Sequence, residues 1–488
     1  MTIQEQMLQW VNFFNNPLWS FLVYFLLAVG LFFTLMTGFI QVRWFFHSIA
    51  IMKGSRKKGN DEHGITPFQA FVTGLASRVG VGNIGGVAIA IAIGGPGAVF
   101  WMWVTAILGM SSAFAESTLA QLFKIRDPKS KQFRGGPAYY ITNGLKNKTF
   151  GVVFALAMIL AYGFVFNSVQ ANAMIKASSH AWGWDKANLI IPLGHLNFVV
   201  SWVGLVLVLI TAIAIFGGIK RIAKFAEMFV PLKAGIYLGL ALFIALINYE
   251  KVPHIFYLIF TEAFKVDAAA GGLIGGLISI AMMQGIKRGL FSNEAGMGSA
   301  PNAAAASDVP HPVNQGLVQM LGVFVDTFIV CTSTAMIILI SGAYTQSGFE
   351  GVELTQHALE TQLGNWGGDV LAILLFLFCY SAILGNYAYA EGNMQFLHSS
   401  KISMFIFRLC VLAMVYFGAV TSVQLVWNMA DLSMGIMATI NLVAIVLLSP
   451  YVFKLIKDYS RQKKAGKEPE FKLSEHPDLQ KKIQSDIW

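Results

Sequence analysis

Apolar residues in this chain neither alternate with polar ones nor keep to one face of a helical turn. They run on in blocks about as long as a bilayer core needs, ~20 residues, and polar clusters separate the blocks. The pattern predicts an all-α, multi-pass membrane protein with about eleven transmembrane helices. They fall at 18–40, 67–93, 97–123, 150–175, 188–216, 226–248, 271–305, 314–342, 367–396, 401–420 and 425–455. The first block is too long for a signal-peptide core, has no basic region ahead of it and lacks a small-residue cleavage site. It is therefore read as a retained span.

A polar loop sets the first span (18–40) apart. The other ten divide into two sets of five, 67–248 and 271–455. Because five is odd, the second set must cross the membrane in the opposite sense to the first. That is the inverted-repeat plan of many secondary transporters. The expected organisation is one membrane transport domain over 1–488: an extra first helix, repeat 1, repeat 2 and a cytoplasmic tail at 456–488.

Composition strengthens this reading. Of 488 residues, 56% are apolar and 12% charged, where a soluble domain carries roughly a quarter charged residues. The net charge of +9 does not point to nucleic acid, because the Lys and Arg lie in short loops and in the tail. Arg43, Lys53, Arg56, Lys57 and Lys58 fall in 41–66; Lys124, Arg126, Lys129, Lys131, Arg134, Lys146 and Lys148 fall in 124–149; Lys220, Arg221 and Lys224 follow the fifth span. The stretch 343–365 holds Glu350, Glu353 and Glu360 with no Lys or Arg. By the positive-inside rule the N-terminus is outside and the C-terminus cytoplasmic. Cys331, Cys379 and Cys410 lie inside apolar runs, match no metal spacing and read as packing residues.

The second span contains Gly80-Val81-Gly82-Asn83-Ile84-Gly85, which fits the G-x-G-x-x-G dinucleotide fingerprint. No strand precedes it, so the fingerprint loses its meaning. Gly80, Gly82, Gly85 and Gly86 instead weaken a helix, at about 1 kcal/mol each relative to Ala. The seventh span is disturbed in "QGIKRGLFSNEAGMGSAPN", where Lys287, Arg288, Asn293 and Glu294 lie at membrane depth. Breaks at matching positions of two halves mark a transporter binding site. A break leaves free N–H groups, which suit a carboxylate, and free C=O groups, which suit a small cation. The plainer reading, glycines for close helix packing, fits "GGLIGG" at 271–276 better.

Other intramembrane polar groups are Gln170, for substrate or for an interhelical bond, and Ser381, for a cation or for its own helix carbonyl. Several of the ionisable residues Arg78, Glu116, Lys287, Arg288, Glu294, Asp326 and Glu391 are expected to pair with one another and hold the breaks or gates. There is no H-E-x-x-H, G-x-S-x-G or Walker A motif, so neither an enzyme nor an ATP-driven pump is expected.

"GVGNIGGVAIAIAIGGPGAVFWMWVTAILGM", "GGPAYYI" and "KRGLFSNEAGMGSAPNAAAA" resemble the alanine/glycine:cation symporter family (sodium:alanine symporters) from about Phe68 to the last span. The resemblance implies a leucine-transporter-like inverted 5+5 repeat preceded by one extra helix. It implies uptake of alanine or glycine coupled to Na⁺ or H⁺ across a prokaryotic cell (inner) membrane, with no cofactor beyond the coupling ion and the lipid bilayer as surroundings. Carried over, the substrate cradle falls on Gly80, Val81, Gly82, Asn83, Gln170, Gln284 and Gly285. The cation site falls on the backbone carbonyls near Ala76 and Val79 and the hydroxyl of Ser381. Two departures stand out. The family often has Thr where this chain has Val81, and a Thr pair where it has Ser381-Ala382. Gln284 stands where members vary, which leaves glutamine, serine or another small polar amino acid as an alternative substrate. A passive channel or receptor is the alternative class, and two matched breaks favour a carrier over it.

Overall fold

The structure, a computed structural model, describes residues 3–54, 64–128, 131–193, 196–217, 219–265, 279–346, 348–481, 483 and 487–488. It is mostly helical. The first long helix, α1 (Ile3–Met36), begins well before the predicted limit and contains Pro17. The second predicted span is two helices. α2 (Pro67–Arg78) opens on a capping box between Thr66 and Gln69, with Pro67 at its first position, where a missing N–H costs nothing. A π-helical turn (Gly82–Gly86) leads into α3 (Val87–Gly94), and the pair is bent by 52°. Then follow α4 (Gly97–Leu122) and α5 (Lys148–Trp182), which carries a π turn at Ile159–Val165.

After α5 come α6 (Trp202–Phe216), α7 (Ile219–Ile247) and α8 (Val252–Glu262). The seventh predicted span is again split, into α9 (Ile280–Asn293) and α10 (Ala300–Ala305). α11 (Pro312–Ser341) includes a π turn at Val325–Cys331. α12 (Val352–Leu363), α13 (Asn365–Leu397), α14 (Lys401–Val420), α15 (Val423–Leu447) and α16 (Ser449–Lys464) complete the set used below.

Among the described residues, eight helices are long and apolar enough to cross a membrane, or nine if the bent pair α2–α3 counts as one. The protein is thus a multi-pass membrane protein, but the expected count of eleven is not reached, for two reasons. Residues Leu189–Leu193 and Leu196–Val200, predicted as part of a helix, form an antiparallel hairpin with Leu189 opposite Val200. β-branched Ile190, Val199 and Val200 suit that geometry, and only the shorter α6 remains of the span. The seventh span starts in 271–278, outside the described residues together with the "GGLIGG" stretch, and its remainder is cut at Glu294–Ser299. The last predicted span also stops early. α15 ends at Leu447, and Ser449-Pro450 start a new, polar helix.

The broken helices lie at the centre of the packing. α4 packs on α9 and α11, α5 packs on α13 and α14, and α1 packs on α15. The acidic stretch predicted as an external loop is partly folded. α12 lies over the first π turn, with the Thr355 hydroxyl donating to Ile84 O at 3.3 Å.

Candidate substrate and cation site

α2 ends at Val79, whose ψ of 84° turns the chain out of the helix. The N–H groups freed there are held by side chains. Gly80 N–H donates to Asn83 Oδ1 at 3.0 Å, and Val81 N–H donates to Gln170 Oε1 at 3.1 Å. Asn83 Nδ2 in turn donates to Asp326 Oδ1 at 2.6 Å, on the π turn of α11. Ser292 and Thr327 hydroxyls donate to the other oxygen of that carboxylate at 2.8 and 3.0 Å. Glycine is needed here for approach as well as for the break. A Cβ on Gly80 would lie 3.1 Å from Ala382 Cβ and from the Gln170 amide, and one on Gly82 would lie 2.9 Å from the Phe291 ring.

The second break is built the same way. α9 ends at Asn293, and Glu294 (φ 58°), Gly296 (φ 81°) and Gly298 (φ 87°) turn the chain before α10 restarts it. The N–H groups of Gly296 and Gly298 donate to the Glu116 carboxylate at 3.3 and 3.1 Å. Asn441 Nδ2 donates to it at 2.7 Å. Glu294 accepts from Ser299 Oγ at 2.6 Å and from Ser77 Oγ at 3.0 Å. Ser77 directly precedes the first break, so the two breaks meet. Buried Arg78 donates to Gln319 O at 3.3 Å.

The structure therefore joins Gly80, Val81, Gly82, Asn83 and Gln170 in one place. It does not bring Gln284 and Gly285 there. α9 runs antiparallel to the first broken span, so Gly82 faces Phe291 and Ser292, Gly86 faces Arg288, and Gly94 faces Ala281 and Gln284. Gly285 packs on α4, where a Cβ would be 2.3 Å from Ala98 O. Gln284 thus lies beside the far end of α3, roughly 20 Å along the helix from Gly80.

At the predicted cation position, Ala76, Val79 and Ser381 are all buried. A fourth group stands among them that the sequence reading passed over. Lys233, buried within α7, donates to Ser381 Oγ and lies with Nζ 3.4 Å from Val79 O. The only sequence signal was a single Lys in an otherwise apolar stretch, "FVPLKAGIYLGLALFIAL". Three of the intramembrane charges expected to pair with one another instead pair with groups outside that set: Arg288 with Asp431 at 2.8 Å, Lys287 with Asp431 at 3.7 Å, and Glu391 with Arg408 at 3.2 Å.

Comparison with known proteins bears on this arrangement. A model of the sodium:alanine symporter family matches residues 4–473. The probable sodium/glutamine symporter GlnT of Bacillus subtilis is 49% identical, over 94% of this chain and 92% of its own length. The sodium/alanine symporter AgcS of Methanococcus maripaludis is 37% identical, over 93% of this chain and 97% of its own. Among solved structures, that of MhsT in complex with L-phenylalanine aligns with a TM-score of 0.53 at 12% identity, covering 82% of this chain and 99% of that one. A likeness at that identity concerns the fold alone.

Proposed function

The chain belongs to the sodium:alanine symporter family, a family of secondary transporters and not of enzymes, and from that premise we propose that it imports alanine or glycine together with Na⁺ by alternating access. The observation that carries the reading is the meeting of two interrupted helices, where Ser77, just before the break at Val79–Val81, donates to Glu294 at the break of α9. In hydrocarbon, irregular backbone is tolerated only where it lines a site or packs in protein. Side chains hold both breaks: Gln170 of another helix and Asn83 of the same span at one, and Glu116 of another helix at the other. In the proposed cycle a substrate carboxylate takes the Val81 N–H that Gln170 holds here, beside Gly80, Gly82 and Asn83. The extra first helix, the inverted five-helix repeats at 67–248 and 271–455, and a cytoplasmic C-terminus belong to the same proposal.

A second substrate reading has one specific support. The relative named as a probable glutamine symporter is 49% identical, whereas relatives named as alanine carriers or symporters are 44% and 37% identical. Glutamine is therefore the runner-up cargo, and H⁺ the runner-up ion.

The test is uptake into proteoliposomes with labelled alanine, glycine, serine and glutamine. A zwitterion moving with one Na⁺ carries one positive charge inward, worth about 2.3 kcal/mol per 100 mV. Uptake is expected to saturate, to need external Na⁺ and to accelerate with an inside-negative potential. Uptake driven by a pH gradient without Na⁺ makes the ion a proton. A non-saturating, Na⁺-independent flux makes the protein a passive pore.

A further inference from the structure

Lys233 is fully buried in α7. Its ammonium has three N–H donors and no acceptor. They meet the Ser381 hydroxyl oxygen, the Val79 carbonyl oxygen at 3.4 Å and the face of Phe378, with Nζ 4.6 Å from the ring centroid. Ser381 spends its own proton on Phe378 O at 2.9 Å, which turns its lone pairs toward the ammonium. Among the described residues no carboxylate lies within ion-pair distance of Lys233. The nearby Cys379 and Tyr237 are a thiol and a phenol, and the Tyr237 hydroxyl is engaged by Thr334 at 2.6 Å. Asp326 is already surrounded by Asn83, Ser292 and Thr327.

A buried ammonium without a counter-ion needs dense neutral acceptors. The end of α2 supplies them. Its last carbonyls are freed by the break at Val79, and they carry the negative end of the helix dipole. The same features make the spot attractive to a small metal cation. Two cations sharing the same oxygens repel each other at contact distance, and the Val79 and Ser381 oxygens are already turned onto Lys233.

We infer that Lys233 is a tethered cation occupying the ion position at the first break, so that its ammonium and Na⁺ exclude each other from the Val79 and Ser381 oxygens. The inference rests on reading this spot as the coupling-ion position. It adds that α7 guards that position: Na⁺ gains these oxygens only when the Lys233 side chain withdraws. Until then the ammonium links α7 to the broken helix α2 and to α13.

The experiment is ²²Na⁺ binding to the purified full chain at one fixed pH, without amino acid, for wild type, K233M, K233Q and K233M combined with S381A. Removing the charge is expected to tighten Na⁺ binding by about tenfold or more, because a like charge no longer competes. Adding S381A should cancel that gain, since the vacated hydroxyl is what Na⁺ would use. Unchanged or weaker Na⁺ binding in the Lys233 variants overturns the inference. So does a gain in K233M that survives S381A. K233Q keeps the length and a donor, and gives the same reading if K233M does not fold. Labelled amino-acid uptake by wild type, run in parallel, separates the two ideas. Na⁺-driven uptake with no tightening in the variants keeps the symport reading and rejects the role of Lys233. Tightening in the variants without Na⁺-driven wild-type uptake keeps the role of Lys233 and rejects the symport reading.

Discussion

Asn83 and Asp326 are joined by a 2.6 Å hydrogen bond from Nδ2 to Oδ1, across 243 positions of sequence. The other end of the Asn83 amide accepts from Gly80 N–H, so one side chain fixes the shape of the break and ties it to α11. Asn83→Ala leaves a buried N–H and a carboxylate oxygen without this partner. A hydrogen bond to a charged group is worth about 1.5–3 kcal/mol. The variant is expected to lose thermal stability in detergent and to bind amino acid roughly ten- to a hundredfold more weakly. Unchanged melting together with unchanged affinity would remove both roles from Asn83.

Gly285 predicts a different phenotype. A Cβ at this position would lie 2.3 Å from Ala98 O and 2.6 Å from Trp101 Cβ, so Gly285→Ala forces α9 and α4 apart. Overpacking of this kind costs about 1–3 kcal/mol. Folded yield should fall by an amount visible in size-exclusion profiles. Gln284→Ala, beside Gly94 and away from the break, should leave the KM for the amino acid unchanged. A several-fold change in that KM would bring Gln284 back to the substrate.

A pH effect is expected where the tail docks. Asp458 on α16 faces His311 Nε2 at 3.5 Å and accepts from Gln462 Nε2 at 2.7 Å, with Arg461 and His476 beside it. His311 Nδ1 accepts from Val313 N–H at 3.1 Å, so the imidazole proton sits on Nε2, toward the carboxylate. His311, first, holds Asp458 well below the usual carboxylate range, at about 2, from its position with Nε2 3.5 Å from the carboxylate. A depressed carboxylate stabilises the folded state above its unfolded pKa, near ~4, and that contribution is lost as the pH falls through the folded value. Asp458→Asn should therefore lower stability, or raise protease access to the tail, by a constant margin from pH 8 to about 5. The margin should shrink only as the pH falls toward about 2. A margin that closes between pH 7 and 6 would point to a histidine in place of Asp458.

Much of this architecture is written locally in the chain. Apolar runs of membrane length give helices because each backbone N–H and C=O is satisfied within its own segment, and α4, α11, α13 and α14 lie close to where hydropathy puts them. The glycines at 80–86 and the disturbed stretch near Glu294 also mark the breaks correctly, because weak helix propensity is a property of neighbouring residues. At 189–200 the same apolar signal misled. β-branched residues in a short run fit a hairpin as well as a helix, and periodicity does not separate the two.

The partners at the breaks were decided only in three dimensions. The sequence requires that each freed N–H, C=O and buried charge find a mate, yet it does not say which of a dozen distant polar residues supplies it. Ser77 meets Glu294, Asn83 meets Asp326, Glu116 caps Gly296 and Gly298, and Lys233 reaches Ser381 and Val79. Each pairing depends on which helix faces which and at what register, as the antiparallel run of α9 past Gly82, Gly86 and Gly94 illustrates. That register keeps Gln284 away from the break, and the packing of α7 puts a lysine where the sequence suggested only a site for an ion. Local propensity fixes where a helix must stop, but the packing of its neighbours fixes what fills the gap.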